Sequence, residues 1–195
     1  MWNDIDLNSV QVTHSPNDNL KVLCVSSAGM PLRWIDWKHA TRYSSLNMIH
    51  WGIANEVIEI NTSQRCYYLP TILAVSKSHR KGLRNPIPPI SNANLFRRDN
   101  FTCMYCGVQF CASALTRDHV FPSSRGGRTT WLNITTACKA CNVKKADAAT
   151  PEKAGLKLLA VPYEPSYAEF LILSNHRILY DQMEFLKAGV VSQII

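Results

Sequence analysis

Two matched pairs of cysteines constrain the fold of this chain more than any other feature. Cys103 and Cys106 form one C-x2-C motif, Cys138 and Cys141 form another, and 31 residues separate the two motifs. Each motif bends the backbone so that it presents two thiolates, and two such bends supply the four ligands of a tetrahedral zinc site. Cys111 is an alternative ligand at a less usual spacing. We therefore predict a small domain held together by structural Zn2+, because so small a core is hard to stabilise alone.

The termini and the apolar runs predict a cytoplasmic protein. Residues 1–6 are acidic and lack the basic and apolar regions of a signal peptide. No apolar run approaches the ~20 residues that a membrane helix needs, so we expect no membrane partner. In the cytoplasm, paired C-x2-C motifs indicate metal ligands rather than disulfides.

Positive charge is concentrated around the cysteine motifs. Between Lys77 and Lys145 there are twelve Lys or Arg residues against two acidic residues, a net charge of +10, whereas the rest of the chain carries −3. Four thiolates on Zn2+ would leave the segment strongly positive. A basic segment that coincides with metal motifs indicates a polyphosphate partner, most simply nucleic acid. The alternative is an ordinary solvated basic face.

The chain divides into three stretches and a linker. Residues 1–80 predict a small α+β extension without a catalytic constellation. Prolines in residues 81–93 predict a linker, since proline continues neither a helix nor a sheet ladder. Residues 94–150 form the core with the cysteine motifs, and residues 151–195 predict a mainly helical tail. The predicted elements are strands at 20–26, 57–60, 67–75 (broken at Pro70) and 115–121, and helices at 34–49, 95–99 (with Asn94 as its N-cap), after Thr150-Pro151 and at 167–186.

The segment between the cysteine motifs resembles the HNH nucleases, whose core is a ββα fold around a metal. The matching motifs are Cys-x2-Cys-Gly, Leu-Thr-x-Asp-His-Val-x-Pro-x-Ser-Arg-Gly-Gly, Trp-x-Asn and Ala-Cys-x2-Cys-Asn-x2-Lys. They cover about residues 94–155, while residues 20–80 are more loosely similar to the N-terminal part of stand-alone bacterial and phage HNH proteins. His119, Asn133 and Asn142 fall on the three letters of the name, so the chain resembles the Asn-ended variants.

The resemblance implies a role for each residue of the site. His119 would be the general base, since an imidazole accepts a proton near neutral pH. Asp118 and Asn142 would hold the catalytic metal, and their oxygen atoms favour Mg2+ or Mn2+ over Ni2+ or Zn2+. Asn133 would orient the base by hydrogen bonds within the loop. Because adjacent side chains of a regular strand face opposite sides, the backbone at Asp118 and His119 should twist or end its ladder.

The implied activity is that of a metal-dependent DNA endonuclease that leaves 5′-phosphate and 3′-hydroxyl ends. One site cuts both strands in two passes or as a homodimer, so nicking and double-strand cleavage are both open. For a protein of a phage or mobile element, the location would be the host cytoplasm. The alternatives are a zinc-stabilised nucleic-acid-binding module without catalysis, against which His119 argues, and an RNA-directed nuclease. Candidate phosphate contacts are the basic residues that flank the site: Arg117, Arg125, Arg128, Lys144 and Lys145.

Overall fold

The chain forms two compact units. The computed structural model describes residues 11–14, 20–61, 66–75 and 87–191, so the predictions for residues 1–6 and for the first six residues of the linker (81–86) lie outside these ranges. The first unit combines residues 1–86 with 167–195, and the second comprises residues 87–166. Within the described ranges, no helix is both long and apolar enough to cross a membrane.

Seven strands and five helices follow one another along the described parts of the chain. They are β1 (Gln11–His14), β2 (Val22–Ser26), β3 (Pro31–Ile35), α1 (Trp37–Ser45), β4 (Ile49–Asn61), β5 (Cys66–Val75), α2 (Asn92–Arg98), β6 (Leu115–His119), β7 (Ile134–Cys138), α3 (Lys139–Lys145), α4 (Tyr167–Ser174) and α5 (Tyr180–Val191). Short 3-10 turns include Pro151–Ala154, which begins after Thr150 as the Thr-Pro pair predicts.

The first unit is a five-stranded mixed sheet in the order β1-β4-β5-β2-β3, covered on both faces. Val22 and Cys24 belong to a core cluster that includes Ala40 of α1. Leu23 and Val25, which alternate with them, belong to a second cluster with α4 and α5. A strand buried on both faces is apolar throughout rather than alternating, which explains the continuous apolar run of β2.

Long-range pairing changes three predicted elements of this unit. The predicted helix 34–49 begins only at Trp37, because Pro31–Ile35 pairs with β2 and Asp36 caps the helix. β5 continues through Pro70, which faces a register shift in β4 between Ile53 and Val57; an irregular ladder tolerates the missing N–H. The predicted helix 167–186 is two helices, α4 and α5.

The division of the chain also differs from the predicted one. The predicted tail, 151–195, is split: residues up to 166 belong to the second unit, whereas residues from 167 onward join the first. The physical reason is burial, since Ala168, Leu171 and Leu186 pack against the second face of the sheet.

The second unit contains a β6–β7 hairpin followed directly by α3, which confirms the predicted ββα core. Its apolar centre contains Leu95, Phe96 and Trp131 among others. The buried Arg98 guanidinium donates to the backbone carbonyls of Trp131 and Ile134 and pairs with Asp99 at 2.8 Å.

The helix that precedes the first cysteine motif begins earlier than predicted. α2 starts at Asn92, three residues before the predicted start, and its N-cap is Ser91 rather than Asn94. The Ser91 hydroxyl oxygen accepts from the backbone N–H of Asn94. Both residue types are good N-caps, so the sequence alone did not distinguish them.

Candidate metal centre and active site

The two cysteine motifs meet in space. The Sγ atoms of Cys103, Cys106, Cys138 and Cys141 all lie within 4.8 Å of one another. A tetrahedral zinc site with Zn–S bonds of about 2.3 Å places its sulfurs about 3.8 Å apart, so the cluster has the size and donor chemistry of a metal site with four thiolate ligands. Cys111, the alternative ligand, lies outside the cluster and contacts Ser113 instead.

Backbone groups prepare one sulfur of this cluster to act as a thiolate. Burial raises the pKa of Cys103, but N–H groups of Cys138, Cys106 and Tyr105 outweigh it and lower the pKa to about 7. The pKa of Cys141 is raised by burial, by its contact with Cys138 and by the neighbouring Cys103 charge. The thiols lie so close together that a negative charge on one of them disfavours ionisation of the others. A bound cation would remove this repulsion and favour the thiolate form of all four.

A second, oxygen-rich site lies at the end of β6. A concave pocket of about 220 Å³ is lined by Asp118, His119 and Asn142, and also by Arg117, Lys145 and Asp147. The β6–β7 ladder has its last pair at His119 and Ile134. The strand predicted over 115–121 therefore ends two residues early, and it ends where the adjacent residues Asp118 and His119 both line the pocket.

Asp118 is held from two directions. Its carboxylate accepts the Tyr105 hydroxyl at 2.5 Å through Oδ2, and Lys145 Nζ lies 3.2 Å from Oδ1 and 3.1 Å from Oδ2. Burial, and then the hydrogen bond to Asp118, raise the pKa of Tyr105 above its ordinary value, so the phenol keeps its proton and donates. A carboxylate has about four lone-pair positions, so these two donors leave capacity for a cation in the pocket.

His119 and Asn133 belong to one hydrogen-bonded loop. The Nε2 atom of His119 lies 2.8 Å from the Thr129 hydroxyl. Asn133 accepts the backbone N–H of Phe121 through Oδ1 and donates through Nδ2 to the carbonyls of Phe121 and Arg128. The Asn133 amide thus bridges the two ends of the loop that follows His119.

The orientation of Asn142 follows from its neighbour Thr116. The Thr116 hydroxyl donates to the Ala137 carbonyl at 3.0 Å, so it accepts the hydrogen bond from Asn142 Nδ2, also at 3.0 Å. With its amide nitrogen used in this way, Asn142 has Oδ1 available as a ligand atom. The pocket therefore offers a carboxylate and an amide oxygen, a donor set that suits Mg2+ or Mn2+.

The basic residues predicted to flank the site have two different environments. Arg117, Arg125, Arg128 and Lys144 are exposed, and Arg125 Nε donates to the Asp147 carbonyl. Lys145 is different, because its side chain is fully buried and bonded to Asp118 and to the carbonyl of His119. The prediction that Lys145 holds a nucleic-acid phosphate conflicts with this burial; its ammonium group is a partner of the site's own carboxylate.

Four contributors to the site were not predicted from the sequence. Tyr105, Thr116, Thr129 and Asp147 contact or line the pocket. Tyr105 lies between the two cysteines of the first motif, so its position near the metal cluster was the available signal. The other three gave none, because isolated threonines and a lone Asp are common at surfaces.

The comparison with known families agrees with this geometry. Residues 103–155 match the family model described as HNH endonuclease. The chain matches no curated protein. The matched segment begins at the first cysteine motif and contains the β6–β7 hairpin, α3 and every residue of the pocket. Residues 103–155 are therefore an HNH endonuclease domain.

Proposed function

We propose that the protein is a metal-dependent endonuclease that hydrolyses phosphodiester bonds in DNA. The observation that carries the proposal is that Asp118, His119 and Asn142 line the same pocket. An imidazole, a carboxylate and an amide oxygen in one concave site combine a proton acceptor with ligands for a hard cation. A purely binding module has no need of this combination.

His119 is the general base of the proposed reaction. In the tautomer that donates Nε2–H to Thr129, the free lone pair is on Nδ1. This nitrogen takes the proton from the attacking water, and the oxygen of that water forms a bond to phosphorus as the bond to the 3′ oxygen breaks. Asn133 keeps the loop beyond His119 closed and so maintains the direction of the ring.

Asp118 and Asn142 are the residues that would hold Mg2+ or Mn2+. When bound, such an ion neutralises charge on the phosphate and stabilises the leaving oxygen. Thr116 keeps Asn142 Oδ1 as the atom available to it. The four cysteines would hold structural Zn2+, which the size of the sulfur cluster supports.

The exposed cations Arg117, Arg125, Arg128 and Lys144 are proposed to contact the DNA backbone. Contacts to phosphates position the duplex without reading its sequence. Each such contact contributes about one to the slope of log K against log salt concentration. Replacing one of these residues should therefore weaken binding on all sequences and flatten that slope by about one.

The test is a plasmid-nicking assay with and without Mg2+. His119→Ala should lose cleavage and keep DNA affinity, because the base is removed while the exposed cations remain. His176→Ala is the matched control, since this histidine is exposed and belongs to the first unit; it should cut like the unmodified protein.

The other possible results discriminate between the proposed functions. Equal cleavage by His119→Ala and the unmodified protein would refute the role of the base. Binding without any cleavage would favour a zinc-stabilised binding module. If the plasmid stays intact but an RNA substrate offered in its place is cut, an RNA-directed nuclease is favoured.

A further inference from the structure

One side chain connects the cysteine cluster to the catalytic pocket. Tyr105 lies between Cys103 and Cys106, and its ring is buried in a cluster with Cys103, Ala137 and Cys138. Its hydroxyl leaves this cluster and donates to Oδ2 of Asp118 at 2.5 Å. The phenol therefore spans the distance between the metal-binding turn and the carboxylate of the pocket.

The backbone that carries Tyr105 is fixed by the turn around the first cysteine pair. The N–H of Cys103 donates to the carbonyl of Val108, and the N–H of Gly107 donates to the carbonyl of Cys103, at 2.9 and 2.8 Å. The N–H of Met104 donates to the carbonyl of Thr136 on β7 at 2.9 Å. A turn closed by these bonds, and by a metal on its two sulfurs, leaves the phenol little freedom to move.

The other donor to Asp118 belongs to a separate element. Lys145 comes from α3 and approaches the carboxylate within 3.2 Å, and its charge already compensates that of Asp118. The neutral hydroxyl of Tyr105 adds no charge compensation. Instead, it fixes the orientation of the Asp118 carboxylate, because two donors from different elements hold that group from two sides.

We propose that Tyr105 is a positioning residue that carries the geometry of the cysteine turn to Asp118 and so sets the affinity of the pocket for its divalent cation. This inference rests on the proposed function, in which Asp118 is a ligand of that cation. Partners that orient a ligating side chain typically change metal affinity by about 10–100-fold when they are removed. The expected effect of losing the hydroxyl is accordingly about a tenfold weaker Kd.

The experiment measures Mn2+ binding to the zinc-loaded full chain by electron paramagnetic resonance. Tyr105→Phe keeps the buried ring and removes the hydroxyl; Tyr180→Phe is the control, because Tyr180 is 79% exposed and belongs to the first unit. We expect Tyr105→Phe to retain its zinc and its unfolding midpoint while its Kd for Mn2+ rises about tenfold. In the nicking assay, the Mn2+ concentration for half-maximal rate should rise by the same factor, with the rate at saturating Mn2+ nearly unchanged.

The outcomes separate this inference from the proposed function. If the unmodified protein binds Mn2+ and cuts DNA, and Tyr105→Phe binds Mn2+ equally well, the inference is wrong and the nuclease proposal stands. If Tyr105→Phe loses its zinc or its fold, the hydroxyl has a structural role and the inference is again wrong. If the unmodified protein does not bind Mn2+, both proposals fall.

Discussion

Two adjacent lysines at the end of α3 should respond very differently to the same substitution. Lys145 is buried with its ammonium group on Asp118. Lys144 is exposed, and within the described ranges its ammonium group has one long contact, 3.5 Å, to the carbonyl of Gly155. Methionine keeps most of the length of the lysine side chain and removes the charge. Lys145→Met and Lys144→Met therefore form a matched pair that differs in burial and not in chemistry.

The magnitude follows from what Lys145→Met leaves behind. The side chains of Lys145 and Asp118 are 0% and 8% exposed, so without a divalent cation in the pocket water compensates poorly for the lost ammonium group. Removing one partner of a buried ion pair costs about 3–5 kcal/mol, because the other charge stays buried without compensation. The carbonyl of His119 also loses a donor at 2.6 Å. Lys144→Met, at an exposed position, should change the stability by less than about 0.5 kcal/mol.

Amide hydrogen exchange followed by mass spectrometry is the suitable assay, since it reports each unit separately. Peptides that cover β7 report the opening of the second unit. A loss of about 3–5 kcal/mol lowers their protection by roughly two to four orders of magnitude. Asp118→Asn in the Lys145→Met background should restore part of the loss, because the buried charge is then gone. If Lys145→Met lowers protection no more than Lys144→Met does, the buried pair is not what holds the site together.

Three further predictions concern the loop, the end of α3 and the metal cluster. Gly127→Ala should abolish nicking at unchanged zinc content, because a Cβ there would lie 2.0 Å from the carbonyl oxygen of Phe121. Gly126→Ala is the comparison: its Cβ meets open space, but its φ of 92° is strained for alanine by about 1–3 kcal/mol, so it should lower nicking less than Gly127→Ala does. Equal activity of the two variants would contradict the clash. Ala146→Gly should raise the free energy of opening of the second unit by about 1 kcal/mol, since φ 47° and ψ −127° are strained for alanine. Amide hydrogen exchange at an unchanged rate would show that this backbone conformation stores no strain. Cys138→Ser should lose the roughly one Zn2+ per chain that elemental analysis is expected to find, together with the fold of the second unit; a folded zinc-free variant would remove the role of the cluster.

The sequence predicted the parts of the site whose chemistry is local. The C-x2-C spacing requires two sulfurs to face the same point, so the meeting of the four cysteines could be predicted from the spacing alone. The same spacing could not show which of Lys144 and Lys145 is buried. That depends on the rotation of α3 about its axis, and seven residues are too few to show a helical period.

The first unit was harder to predict because its elements are defined by distant partners. Pro31–Ile35 is a strand because it pairs with β2, although its last two residues, Trp34 and Ile35, were predicted as the start of a helix. α4 and α5 cover a sheet whose strands all precede them by a long stretch of chain. Local propensity contains no information about such contacts, so tertiary pairing overrides it.

The adjacency of Asp118 and His119 shows how the two kinds of information combine. Neighbouring residues of a strand point to opposite sides, and here Asp118 points inward to Tyr105 whereas His119 contacts Thr129 of the exposed loop. Both still line one pocket, because the ladder ends at His119 and the pocket lies at that end. Lys145 binds the carboxylate of the first residue and the carbonyl of the second. A single buried ammonium group therefore bonds to two adjacent residues, the proposed metal ligand and the proposed general base, which a surface cation could not do.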